Sequence, residues 1–178
     1  MNRKLIMTLA IAAGGVLVAN AQKVSILKLS GTLASNHHQK VYLQKYIDRY
    51  YEVIDSAVVE NGKFSFNNQI ALPEIYGLSV SLKATPLLVF LDEGDIHVEL
   101  NPARGYQESK ITGSATHDLY LEFHKNRDSD LTTFIQQHPH SIVSLYILYR
   151  EYVSRLSSEE IEQNLGLLDA CGKTSPPD

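Results

Sequence analysis

The apolar residues of this chain change their period once, near Ser114, and that change limits the fold more than any other feature. Upstream, short apolar runs alternate with polar residues at every second position, the repeat of a strand. Downstream the repeat is 3.6, that of a helix. The order predicts a protein that is mainly β with C-terminal α. An antiparallel β-sandwich-like domain is expected over residues 22–114, a short helical region over 115–172 and a frayed tail over 173–178. The 93 residues from 22 to 114 suffice for a core, whereas the 64 from 115 to 178 are marginal. The helical stripes must therefore dock on the sheet or on something outside the chain.

Within the β region, strands are expected at Val24 to Leu33, from Val41-Tyr42-Leu43, and at Tyr50 to Val59. Gly31 marks a candidate bulge. Asn61-Gly62 tolerates positive φ at both central positions of a type I′ turn, so Val58-Val59 should pair with Phe64-Ser65-Phe66 as a hairpin, Phe64 and Phe66 sharing one face. Ile75 to Leu82 reads as a half-buried strand. Leu87 to Leu91 is continuously apolar and reads as a strand covered on both faces. Asp92-Glu93-Gly94-Asp95 is expected to be a charged hairpin turn. Ile96, Val98 and Leu100 alternate with His97 and Glu99, and a last short strand covers Lys110 to Thr112. Beyond Ser114, Thr116 is expected to cap a helix from His117 to Lys125, and Asp130 another that Pro139 ends. Ser141 opens a helix with Ile142, Leu145, Tyr146, Tyr149, Tyr152 and Val153 on one stripe. Ser157 and Glu160 have capping-box spacing before a helix with Ile161, Leu165 and Leu168 on one face, stopped at Gly172.

The first 21 residues read as an address. Arg3 and Lys4 precede an apolar run from Leu5 to Val18, and Ala19-Asn20-Ala21 is an A-x-A cleavage site, the secretory pattern. The run is short for a membrane span. An exported protein is expected, periplasmic or associated with the cell envelope, with no transmembrane segment after cleavage. Losing Arg3 and Lys4 leaves 157 residues with 14 basic and 20 acidic side chains, a formal charge of −6. That charge argues against nucleic acid as a partner. The single cysteine, Cys171, excludes an internal disulfide and a CxxC pair; it is expected to be an inert thiol or an intermolecular disulfide.

No residue set amounts to an active site, and neither a cofactor nor a metal site is expected. His37-His38 and His138-Pro139-His140 offer close imidazoles, and His117 and His124 share a helix face, but none has the spacing of a metal motif. The seven tyrosines Tyr42, Tyr46, Tyr50, Tyr51, Tyr146, Tyr149 and Tyr152 are the candidate interaction surface. They either cover the sheet–helix junction or meet a partner. Asp55 is expected to accept hydrogen bonds within the sheet, with Ser56 beside it.

The segment from Ile54 to Phe66, IDSAVVENGKFSF, resembles the signature of a domain of unknown function. That domain stands at the N-terminus of many Bacteroidota envelope proteins of the thioredoxin-like, thiol:disulfide interchange (TlpA/ResA) type. Its structural positions here are Asp55, Ser56, Asn61, Gly62, Phe64 and Phe66, with Gly94 of PLLVFLDEG and the Gly113-Ser114 pair in the same order. HPHSIVSL, from His138, is similar to the helix start that follows the domain. The resemblance implies a neighbour carrying a Trp-Cys-x-x-Cys site; this chain has no Trp and no CxxC. The expectation is a non-catalytic accessory module that binds or positions an envelope protein or self-associates. The alternatives are a truncated thiol-disulfide oxidoreductase and a sandwich binding a small ligand, glycan or peptide.

Overall fold

The computed structural model describes residues 24–34, 39–47, 50–126 and 130–170. Its eight strands are β1 (Val24–Leu33), β2 (Lys40–Ile47), β3 (Tyr50–Val58), β4 (Lys63–Ala71), β5 (Glu74–Ser79), β6 (Leu87–Leu91), β7 (Gly94–Leu100) and β8 (Lys110–Thr112). They form two four-stranded sheets, in the orders β4-β1-β7-β8 and β3-β2-β5-β6. All pairs run antiparallel except β1 with β7, which run parallel with Leu27 opposite Gly94 and Leu33 opposite Leu100. Alternation decides which side chains meet between the sheets. Leu27, Leu29, Phe64, Phe66, Ile96, Val98 and Leu100 come from the first sheet, and Val41, Leu43, Tyr76, Leu78, Val89 and Leu91 from the second. Each buried side chain of this size contributes roughly 1.5–3 kcal/mol relative to exposure.

Asn61-Gly62 does form a tight turn. Both residues have positive φ (51° and 73°), and Glu60 and Lys63 exchange two backbone hydrogen bonds of 2.9 Å. The hairpin expected around it stops there. Val59 N–H donates to Gln39 instead, and Phe64 lies opposite Gly31 of β1. The turn thus hands the chain from the second sheet to the first, because β3 and β4 each find a longer partner in β2 and β1. Asp92 and Glu93 likewise carry the chain between sheets, from β6 to β7, rather than closing a hairpin.

Gly31 marks no bulge: the β1–β4 register is unbroken, and the Phe64 ring lies where a Gly31 Cβ would stand. The bulge is in β3, where Ile54 is the extra residue opposite the Leu43–Gln44 step. β5 is not half-buried but covered on both faces, since Tyr76 and Leu78 point into the sandwich and Ile75 points away from it.

The outward face of the second sheet carries the helices α1 (Ala115–Lys125), α2 (Leu131–Gln137), α3 (Ile142–Ile147) and α4 (Ser158–Ala170). Ile75 and Phe90 of the sheet pack with Phe123, Leu131, Phe134, Ile135, Val143, Ile147 and Leu148. This is the docking that the small size of the helical region demands. Ser114, not Thr116, caps α1, accepting from the His117 N–H. Asp130 caps α2, and Ser157 and Glu160 form the expected capping box. The stripe read for α3 is corrected: Val143, Ile147 and Leu148 are buried, whereas Leu145 and Tyr149 are exposed. This stretch is apolar almost all round, and a π-helical turn at Leu148–Tyr152 breaks the 3.6 period. On α4 the buried position is Asn164, and Leu165 faces outward. Cys171, Gly172 and the tail lie outside the described residues, as do residues 1–23 and His37-His38.

Because the Phe64 ring occupies the space over Gly31, Gly31→Ala should destabilise the chain by about 1–3 kcal/mol in urea unfolding. The cost should shrink in a Phe64→Leu background, and an equal cost in both backgrounds would show that the ring is not the obstacle.

Candidate functional site

Three groups of side chains bear on function: a clasp at the edge of β6, an aromatic cluster under α3, and the signature residues at the sandwich corner.

The clasp begins at Gly113. Its φ of +88° and the Asp95 carbonyl, which a Cβ would overlap, both call for glycine. Ser114 then lies against β6. Its hydroxyl is 2.7 Å from the Phe90 carbonyl and 3.0 Å from Asp92 Oδ2, and its single proton serves these two acceptors, while Oγ accepts the His117 N–H at 3.0 Å. The Phe90 N–H donates to His117 Nδ1 at 3.4 Å. Asp92 also accepts from the backbone N–H and the hydroxyl of Thr116. Both backbone groups of Phe90 on the outer edge of β6 are therefore taken by side chains at the start of α1. A sheet edge left bare would otherwise invite another strand.

Serine, aspartate and histidine are here the residue types of a hydrolase, but the geometry differs. The serine hydroxyl points to backbone and carboxylate, and the imidazole accepts a backbone proton. To accept at Nδ1, His117 must be neutral. Burial pushes its pKa down to about 4, against the opposing pull of Asp118 and Asp92.

The tyrosines separate into groups. Tyr46, Tyr51 and Tyr146 meet at the sheet–helix junction, with Tyr46 5.1 Å from Tyr51 and 6.2 Å from Tyr146 between ring centroids. Phe90 and Tyr120, neither of which the sequence singles out for this role, complete the cluster, Phe90 standing 5.4 Å from Tyr146 and 5.0 Å from Tyr120. Burial raises the phenol pKa of Tyr51, Tyr120 and Tyr146, with Glu151 adding to the effect at the last two. Tyr152 stacks edge-on with Phe123, under Arg155. Tyr42 lies apart, opposite Ser56 and Ser79 in the sheet. Tyr50 and Tyr149 are each more than half exposed.

Beside the cluster runs a groove of about 260 Å³ lined by Tyr46, Glu74, Ile75, Ile142, Leu145, Tyr146, Tyr149 and Arg150. The Arg150 guanidinium lies 5.7 Å from the centre of the Tyr46 ring, so the charge at the rim rests on an aromatic face.

The signature residues hold the corner where the chain changes sheets. Asp55 accepts the Ser56 N–H at 2.7 Å and the Asn68 side-chain amide at 2.8 Å, which ties β3 to β4 across the sandwich. Phe64 and Phe66 stack edge-on at 6.1 Å. Gly94 opens β7 with φ +116°. Of the histidines, His97 bonds Ser30 at 3.0 Å and His124 faces Glu151 at 3.2 Å, while His138 and His140 lie at the end of α2 and the turn after it. No three His, Cys, Asp or Glu side chains gather into a possible metal site among the described residues. No described helix is long and apolar enough to cross a membrane.

The molecule is thus a two-sheet β-sandwich with one outer face roofed by helices. The family model described as "Domain of unknown function (DUF4369)" matches residues 27–120, more than half of the chain, and the chain belongs to that family. The match runs through both sheets, the Gly113-Ser114 pair and His117. Neither the curated proteins nor the solved structures give a match.

His117 makes stability depend on pH. The folded state holds the ring neutral down to about pH 4, whereas the unfolded chain takes up the proton near 6.5. Its contribution is complete above pH 6.5 and falls as pH drops from 6.5 to 4, by an amount on the order of 3 kcal/mol. Urea titrations at pH 7.5 and 4.5 should show the loss, and His117→Gln should flatten it. Ser114→Ala should cost about 1–3 kcal/mol at pH 7.5, through the lost cap and the unsatisfied Phe90 carbonyl.

Proposed function

We propose that this chain is a non-catalytic accessory module of the cell envelope, exported by its first 21 residues, that holds a partner polypeptide. Its resemblance at Ile54 to Phe66 makes it kin to the domain that precedes thioredoxin-like thiol:disulfide interchange proteins, and the module supplies a surface in place of a dithiol.

The observation that carries this reading is the α3 groove. Its walls are almost entirely carbon, and Leu145 and Tyr149 stand half exposed on its rim. Aromatic and aliphatic side chains around a shallow depression suit the apolar anchors of a partner's amphipathic segment. The other support is how three ionisable groups are spent. His117 and Asp92 close a sheet edge, and Asp55 ties the two sheets. Each of them has a structural task, whereas Leu145 and Tyr149 along the groove remain half exposed.

A photo-crosslinking amino acid placed at Tyr149 or Leu145 in the living cell tests the reading. A discrete adduct should form from these positions and not from Ser65 or Thr112 on the opposite sheet. Leu145→Glu should abolish the Tyr149 adduct without altering the unfolding midpoint. Equal adducts from both faces, or none, would refute the groove as a binding site. A low-mass adduct alone would favour a small ligand over a polypeptide. N-terminal sequencing of the same material should begin at Gln22.

A further inference from the structure

The four sheet edges are protected unequally. β6 is closed by Ser114 and His117. β8 is three residues long. β4 exposes only the polar side chains Lys63, Ser65, Asn67 and Gln69 along its outer face. These are the usual defences of an edge. β3 has fewer of them: two acidic side chains, Glu52 and Asp55, and the bulge at Ile54. Its nine residues contain no Lys, Arg or Pro, it pairs only with β2 among the described residues, and Tyr50, Val53, Ile54 and Val58 are each 40% exposed or more. The bulged residue Ile54 lies on the wall of a cleft of about 320 Å³ that Asn68, Gln69, Ile70 and Ala71 of β4 also line, with Lys45 and Tyr76.

That cleft holds an unmet hydrogen-bond demand. The amide nitrogen of Asn68 is committed to Asp55, and its buried Oδ1 has no partner among the described residues. A buried carbonyl oxygen without a donor costs on the order of 1–3 kcal/mol, so an incoming N–H that reached it as the cleft opened would be favoured. The charge on the strand points to the donor's chemistry: Glu52 and Asp55 lie on β3 and Glu60 just after it, and the one lysine on the cleft wall, Lys45 opposite Glu52, is paired with Glu74 at 4.0 Å. A second copy of β3 would set these carboxylates against each other.

We propose that the edge of β3, with the Ile54–Asn68 cleft beside it, takes up an extended cationic segment of a partner protein as an added strand. Main-chain hydrogen bonds supply the affinity, and an apolar side chain of the incoming strand enters the cleft. This site is separate from the α3 groove and stands or falls without it.

The test uses the full chain and a nine-residue peptide of alternating lysine and valine as probe. Hydrogen exchange should slow at the amides of residues 50–58 on adding the peptide. The same peptide N-methylated at every second residue should bind at least about tenfold more weakly, since backbone donors are lost while charge is kept. Ile54→Lys should weaken binding to a similar extent with an unchanged unfolding midpoint, and Leu145→Glu in the groove should leave it unaltered. Equal affinity of the two peptides would overturn the proposal, as would protection confined to the α3 region. Protection that grows with protein concentration and without peptide would overturn it in favour of self-pairing.

Discussion

Strands β5 and β6 of the second sheet have to be dry on both faces, and much of the molecule follows from that. Val89 and Leu91 point into the sandwich, and Phe90 points out of it; Tyr76 and Ile75 divide in the same way on the neighbouring strand. Neither face of such strands tolerates water, so a second apolar layer must lie on them. The helical region is that layer, and its size makes a core of its own marginal. Sheet and helices are therefore halves of one problem, solved at Phe90, whose side chain enters the helical core while its backbone is held by Ser114 and His117.

The same requirement explains where the polar groups go. A strand between two apolar layers still has an edge with unpaired N–H and C=O groups, and these need partners of the right hydrogen-bonding kind. A hydroxyl, a neutral imidazole and a carboxylate provide them at the start of α1. Ser114, His117 and Asp92, residue types that could be taken for chemistry, are engaged in closing this edge. Closure of this kind stops along α3 and at the edge of β3, the two surfaces we propose for recognition.

Much of this was legible in the residues. The period change at Ser114, the alternation in β4 and β7, the continuous apolar run of β6, and the caps at Asp130 and Ser157 are local features read with local rules. Pairing was not legible. Asn61-Gly62 specifies a turn but not whether its arms stay in one sheet, because the competing partners, β1 and β2, lie far off in sequence. Gly31 looked like a bulge because a glycine under an aromatic ring from another strand leaves the same local trace. The α3 stripe failed because Ile142 to Val153 is apolar on nearly every side and a π turn shifts its phase. Of the seven tyrosines, only Tyr46, Tyr51 and Tyr146 meet in one cluster. Of their companions, Phe90 sat in a run that read as a buried strand and Tyr120 in a helix where no residue stood out.

Native-state hydrogen exchange of the full chain tests the central claim most directly, by comparing the amides of Leu29 in the first sheet, Phe90 at the clasp and Ile147 in α3. If sheet and helices are one cooperative unit joined at Phe90, all three exchange through the same opening, with one free energy and one denaturant slope. If Ile147 opens at a distinctly lower free energy while Leu29 and Phe90 stay protected, the helices are an independent appendage and the account is wrong.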